Sequence, residues 1–232
     1  DRVVLLDYSR TQLEQAQARL GESQQYTYVT ADVYQLPFTD GLFDGATMIR
    51  TLHHMADPVL ALSQVRRVMA PKGIFILEFA NKRNLKAMLR YLLGKQAWSP
   101  YTLEPVEFAE LNFDFHPKAV RHYLHDAGFQ IEKQLTVSHF RIGFLKRHIP
   151  TRILAALDAL LQWTGAVVQV SPSVFTRCRV IGASQNANGD AFFQCPACGR
   201  ALEGMRHDLR CADCGAVWEY RDGIYDFKLI KE

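Results

Sequence analysis

Hydrophobic and polar positions fall into two rhythms along this chain, short apolar runs of strand length and longer stretches with a helical repeat. Arg2 to Leu6 is an apolar run of the kind found in a strand buried on both faces, and Asp7 closes it. Ser9 with Gln12 fits a capping box, Leu13, Ala16 and Leu20 share one helical face, and Gly21 stops that helix. Tyr26 to Thr30, aromatic and β-branched, predicts a second strand that delivers Asp32 and a Leu36-Pro37-Phe38 loop at its C-terminal end. Phe43 to Ile49 is a third strand. Asp57 and Pro58 then start a helix continued by Val59, Leu62, Val65, Arg66 and Met69, and Ile74 to Phe79 follows as a fourth strand.

From Asn81 the pattern changes. Asn81 to Leu93 predicts a basic amphipathic helix, followed by an aromatic loop through Trp98, Tyr101, Phe108, Phe113 and Phe115. His116-Pro117 opens another helix ending at Ala127-Gly128, and Phe129 to Phe140 and Val174 to Ile181 predict two further strands. Between them Ile149, Ile153, Leu154, Leu157, Leu160 and Leu161 share a helical face, preceded by Lys146, Arg147, His148 and Arg152. Asp158, Gln162, Gly165 and Gln169, and the short length, disfavour a membrane span. A lid helix or dimer contact is one reading of this face, and membrane-surface docking through 146–170 with basic anchors is another.

Composition changes the picture mainly at the C-terminal end. The 232 residues carry a net charge of +3, too small to name a partner, with 48% hydrophobic and 22% charged residues, as in a soluble globular protein. Residues 190–232 have a net charge of −2, so this segment is no basic nucleic-acid patch and nucleic acid is not an expected partner. It holds Cys195-Pro-Ala-Cys198-Gly and Cys211-Ala-Asp-Cys214-Gly, two knuckles able to place four thiolates tetrahedrally around zinc. A closed four-thiolate site makes that zinc structural. No secretory signal opens the chain, so a reducing, cytoplasmic setting is expected, with membrane-peripheral placement as the variant implied by 146–170. Cys178, inside a strand pattern, is expected to be a small buried hydrophobe.

Taken together, Asp7 after Val3-Val4-Leu5-Leu6, Ala31-Asp32 with Leu36-Pro37-Phe38, Phe43-Asp44, Leu52-His53-His54 and Pro71-Lys72-Gly73 resemble a class I S-adenosylmethionine-dependent methyltransferase. The subgroup resembled includes the ubiquinone and menaquinone C-methyltransferases. The resemblance implies an α/β, Rossmann-like sheet with the cofactor at the C-terminal ends of its strands. It further implies that Asp7, with Tyr8 beside it, binds the ribose hydroxyls, that Asp32 and the Val33 amide meet the adenine, and that Ile49 and Arg50 lie beside the methionine portion. His53 and His54 would stand at the pocket mouth, where a His can act as general base or simply start a helix. A nicotinamide-dependent oxidoreductase also uses an acid after its second strand, but the Asp32 and Leu36-Pro37-Phe38 combination disfavours it.

The expected organisation is a methyltransferase domain over 1–184, with insertions at about 81–115 and 145–172, a linker at 185–191 and a zinc ribbon over 192–232. The class's first strand and glycine-rich loop are expected upstream of Asp1, and Gly-x-Gly occurs nowhere in the chain, so residues 1–232 alone are expected to bind little cofactor. The expected acceptor is a hydrophobic small molecule, quinone-like or lipid-like. RNA or protein methylation with the ribbon as a protein-docking module is the alternative, and a non-catalytic adaptor presenting the ribbon is a third reading.

Overall fold

The computed structural model describes residues 2–182 and 191–228, so all of the expected linker but Ala191 lies outside the described residues. In chain order the first elements are β1 (Val3–Asp7), α1 (Arg10–Leu20), β2 (Tyr26–Thr30), β3 (Phe43–Met48), α2 (Pro58–Val68) and β4 (Met69–Ala80). Then come α3 (Leu85–Leu92), β5 (Val106–Ala109), β6 (Asn112–Asp114), α4 (Pro117–Asp126), β7 (Phe129–Val137), α5 (Gly143–His148), α6 (Thr151–Leu161) and β8 (Ser173–Val180). The cysteine-bearing end holds β9 (Phe193–Gln194), β10 (Ala201–Leu202), β11 (Leu209–Arg210), β12 (Val217–Arg221) and β13 (Ile224–Asp226). These elements form two compact units, one of Asp1–Phe43, Arg67–Ala70 and Ala183–Glu232, the other of Asp44–Arg66 and Pro71–Gly182.

In the first unit a five-stranded sheet runs in the order β1-β2-β13-β12-β11, and β9 and β10 form a separate antiparallel pair. β1 and β2 are parallel, with Asp7 opposite Thr30. β1 has β2 as its only partner among the described residues, so Val4, Leu5 and Leu6 are half-buried, against the expectation of a strand covered on both faces. β2 has neighbours on both sides because β13 pairs with it in parallel, Ile224 opposite Tyr28 and Asp226 opposite Thr30. That pairing satisfies the amides and carbonyls that an edge strand would leave open. β12 returns antiparallel to β13 through Asp222-Gly223, both at positive φ (51° and 75°), the mirror-image turn that matches strand twist. The turn rests on α1, where Gln17 Nε2 donates to Asp222 O at 2.8 Å and the Arg10 guanidinium donates to Arg221 O at 3.0 Å.

Both faces of this sheet are packed. Leu13 of α1 meets Tyr28 and Ile224 on one side. On the other, Val29, Ala31, Leu36 and Phe38 share one cluster with Phe193, Leu202, Leu209, Trp218, Tyr225 and Phe227 and with Cys195 and Cys211. The sequence leaves open whether the ribbon aromatics close a small core or dock on the larger domain, and here one cluster does both. Phe38, Phe193 and Phe227 are all but fully buried, and each contributes about 2 kcal/mol by removal from water.

The second unit is built on the sheet β3-β4-β8-β7. β4 pairs antiparallel with β8 from Ile74↔Arg179 to Ala80↔Ser173, and β8 pairs antiparallel with β7 across a bulge between Ile131 and Lys133. Met69 opens β4 instead of continuing α2, because the chain has already turned into the strand ahead of Pro71 and Lys72, the latter at φ 64°. The expected helix over Asn81 to Leu93 is shortened to α3 because Asn84, whose side chain accepts from Ala87 N at 3.0 Å, caps it later. Lys82 is excluded from that helix and buried, its Nζ donating to Glu104 O at 2.6 Å and Thr102 Oγ1 at 3.0 Å. The aromatic loop contains the β5-β6 hairpin.

The segment after β7 folds as α5, α6 and a short turn over Gln162–Ala166. Gly165 is pressed against β7 so closely that a Cβ there would lie 2.7 Å from Thr136 N. Asp158 accepts from the amides of Ser138 and His139 and from His139 Nδ1 at 2.8 Å. Burial alone would raise its pKa, but the hydrogen bonds from His139 and Ser138 outweigh burial and hold it below the usual range. Cys178 is fully buried, and burial pushes its thiol up to about 11, fitting the small-hydrophobe reading.

Candidate functional site

In the first unit the parallel pairing of β1 and β2 brings Asp7, Tyr8, Asp32 and Val33 to one sheet edge, and Ala31 N donates to Asp7 O at 3.2 Å. Asp7 Oδ1 accepts from Ser9 N at 2.8 Å in a turn just ahead of α1, and Ser9 stands at the expected N-cap, its carbonyl accepting from Leu13 N while its side chain makes no cap bond. Asp32 likewise accepts from Tyr34 N at 2.9 Å and caps the short turn Val33–Gln35. Both carboxylates are thereby fixed in direction, and each has a second oxygen able to meet a ligand's hydroxyl or amine. Tyr8 is 63% exposed beside them.

Arg67, which the sequence gives no reason to single out, organises the loop after Asp32. Its guanidinium donates to Leu36 O and Phe38 O, both at 2.7 Å, and pairs with the Asp40 carboxylate at 2.8 Å. A planar five-donor group suits two carbonyls and a carboxylate at once. Its only sequence signal is a cation near the end of a helix, too common to be informative.

In the second unit Ile49 is half exposed and Arg50 holds a left-handed backbone at φ 57°. The Arg50 amide donates to Glu78 Oε2 at 2.8 Å, while the Ser173 hydroxyl donates to Glu78 Oε1. Glu78 is thus turned away from open solvent, its two oxygens held by a backbone amide and a hydroxyl. The His53 and His54 rings lie 3.9 Å apart between centroids, and His54 Nδ1 donates to Leu111 O at 3.2 Å in the β5-β6 turn. Burial first, and then the neighbouring His54, lower the His53 pKa, which keeps His53 neutral and able to accept a proton.

His116 caps α4 by accepting from Lys118 N at its Nδ1 (3.1 Å), a bond that requires the unprotonated nitrogen. Burial, then the cations Arg83, Lys82, Arg121 and Lys118, push its pKa down to about 4. Because this folded value lies below the unfolded one, the unfolded chain binds the extra proton first. Stability is expected to be whole above pH 6.5 and to fall as pH drops from there towards 4, and His116→Asn should flatten that slope in denaturation curves recorded across the window.

The cysteine knuckles bring Cys195 Sγ to 3.6 Å from Cys214 Sγ and Cys198 Sγ to 3.4 Å from Cys211 Sγ, all four sulfurs lying within 4.8 Å of one another. A tetrahedron of zinc–sulfur bonds of about 2.3 Å has edges of about 3.8 Å, so the four sulfurs fit one zinc ion. Amides turn towards the sulfurs, and that of Cys214 leads in holding the Cys211 thiol down to about 7.

A methyltransferase-domain family matches residues 1–77. An O-methyltransferase of Aspergillus sclerotiorum is 42% identical over 66 residues, 27% of this chain and 25% of that one. A demethylmenaquinone methyltransferase of Clavibacter sepedonicus is 37% identical over 79 residues, 34% of this chain and 32% of that one. The chain thus spans about a quarter to a third of the length of these curated relatives. Among solved structures, a chain from the complex between the Haloferax volcanii Trm112 methyltransferase activator and a methyltransferase matches with a TM-score of 0.52 at 16% identity, over 78% of this chain and 73% of that one. At that identity the likeness shows the fold, an α/β, Rossmann-like class I methyltransferase fold, here with a four-cysteine cluster at its C-terminal end.

Proposed function

We propose that this chain, which matches a methyltransferase-domain family over residues 1–77 and has the class I methyltransferase fold, is part of an S-adenosylmethionine-dependent methyltransferase acting on a hydrophobic, quinone-like small molecule. The observation that carries the reading is the pair Asp7 and Asp32, oriented by Ser9 N and Tyr34 N at one edge of two parallel strands. A carboxylate accepts both hydroxyls of a ribose diol, and a second one accepts from an exocyclic amine, so the pair fits an adenosine. The cofactor, when bound, supplies an activated methyl group on a sulfonium.

What remains for the chain is alignment and exclusion of water. Ile49 and the Arg50 backbone, fixed by Glu78, would line the methionine portion. His53, neutral at working pH, can take up the acceptor's proton. Zinc held by Cys195, Cys198, Cys211 and Cys214 has no open position and serves structure alone. Four metal-bound thiolates suit a reducing compartment, and the protein is proposed to be cytoplasmic.

The test is calorimetric titration of S-adenosylmethionine into the full-length protein. Asp7→Ala and Asp32→Ala should each weaken binding by about ten- to a hundredfold, the loss of charge-assisted hydrogen bonds. A wild-type protein that binds no cofactor would remove the enzyme reading.

The same proposal includes a peripheral contact with anionic membranes, where a lipid-like acceptor resides. No helix among the described residues is long and apolar enough to cross a bilayer. Yet Leu160, Trp163 and Val167 are 75, 64 and 84% exposed, Phe144 and Leu157 are exposed as well, and so are Arg141, Lys146, Arg147 and Arg152 of the same segment. Exposed apolar side chains and exposed cations in one stretch of chain fit an interfacial segment. Co-sedimentation with vesicles rich in phosphatidylserine, reduced by Trp163→Ser with Leu160→Ser, is the expected result; equal binding of the variant would exclude this surface.

A further inference from the structure

Two residues of the ribbon, Phe227 and Lys228, reach the edge that carries Asp7 and Asp32. β13 runs parallel to β2, and Phe227 N continues the ladder by donating to Thr30 O at 2.8 Å, two residues before Asp32. Lys228 follows at once, its Nζ 5.3 Å from the centre of the Tyr8 ring.

A second set of contacts holds the loop beyond Asp32. Gln194 N donates to Pro37 O at 3.0 Å, Thr39 N donates to Phe192 O at 3.3 Å, and the Thr39 hydroxyl donates to Ala191 O at 2.7 Å. Phe38 stacks on Phe193 with ring centres 5.8 Å apart. Leu36 to Thr39 are thus gripped by Arg67 through their carbonyls and by ribbon backbone on both sides of Phe38.

We infer that the ribbon acts on its own chain: by extending the sheet past β2 and clasping Leu36 to Thr39, it holds Asp32 and Val33 ready for the cofactor and places Lys228 beside Tyr8. The inference rests on the cofactor reading of Asp7 and Asp32. Phe193 and Phe227 are positioning residues, and Lys228 is a further group at the adenosine end. A segment of this size keeps its fold only while its thiolates are clamped, so metal loading sets the order of the Asp32 loop from a distance. The surface that a docking module would offer to a separate protein is here spent on β2 and on the loop after it.

The experiment is hydrogen exchange and S-adenosylmethionine titration of the full-length protein, zinc-loaded and after chelation. Without zinc, the amides of Tyr28 to Thr39 should lose protection by about tenfold or more, those of Ile74 to Phe79 should keep theirs, and the cofactor Kd should rise by about tenfold or more. Should chelation unfold both segments, zinc-loaded Phe193→Ala decides, with about a threefold or larger loss expected in loop protection and affinity together. In zinc-loaded Lys228→Ala, affinity should fall with loop protection unchanged. Unaltered protection and affinity in zinc-free protein, or in Phe193→Ala where chelation unfolds it, overturns the inference. Zinc-dependent protection in a protein that binds no cofactor would instead remove the methyltransferase reading while leaving the clasp.

Discussion

Cys211→Ser, or chelation of the metal, is expected to lower the stability of the whole first unit and not merely loosen its cysteine-bearing end. Binding of structural zinc is worth about 10–16 kcal/mol in small domains at neutral pH, as much as the whole stability of an ordinary protein, about 5–15 kcal/mol. Here that energy is not confined to the knuckles. Cys195 and Cys211 belong to the same buried cluster as Val29, Ala31, Leu36 and Phe38, so a ribbon that opens takes cover from β2 and from the loop that follows it. The measurement is a thermal melt with and without chelator, alongside thiol titration. Cys195, Cys198, Cys211 and Cys214 should become reactive in the zinc-free chain, while Cys178, fully buried in the second unit, should stay protected. A melt indifferent to chelator, in protein shown to have lost its metal, would mean that the cluster is no part of the fold's energetics.

Glu78→Ala should cost about 3 kcal/mol, an effect of the size usually seen for deep core truncations. The residue is only 7% exposed, and its two oxygens hold the Arg50 amide and the Ser173 hydroxyl. Truncation takes the acceptor away from two part-buried donors and withdraws the bond that keeps Arg50 in a left-handed conformation disfavoured for a residue with a Cβ. Glu78→Gln keeps the shape and one acceptor oxygen and should lose roughly half as much. Urea midpoints of the two variants test this, and an alanine variant as stable as wild type would show that Arg50 holds its conformation without help.

Much of this was legible along the chain because it is local. Apolar runs bounded by Asp7 and Asp32 become β1 and β2, and two Cys-x-x-Cys pairs become one cluster of four sulfurs. Strand period, cap chemistry and ligand spacing are properties of neighbours within a few residues, and they survive whatever the rest of the chain does. Local reading failed where a residue answers to distant ones. Lys82 fitted a solvated helical face, yet the carbonyl of Glu104 and the hydroxyl of Thr102 supply enough acceptors to bury it.

The sequence by itself therefore determined the strands β1 to β4, β7 and β8, the acids that follow the first two and which thiols can share a metal. Only the tertiary structure decided that β13 pairs with β2, that Arg67 ties the loop after Asp32, and that Glu78 fixes Arg50. The physical reason is that an edge strand's unpaired amides carry no mark of their partner. Any strand of matching twist and apolar face can satisfy them, and which one does so is settled only when the whole core is packed.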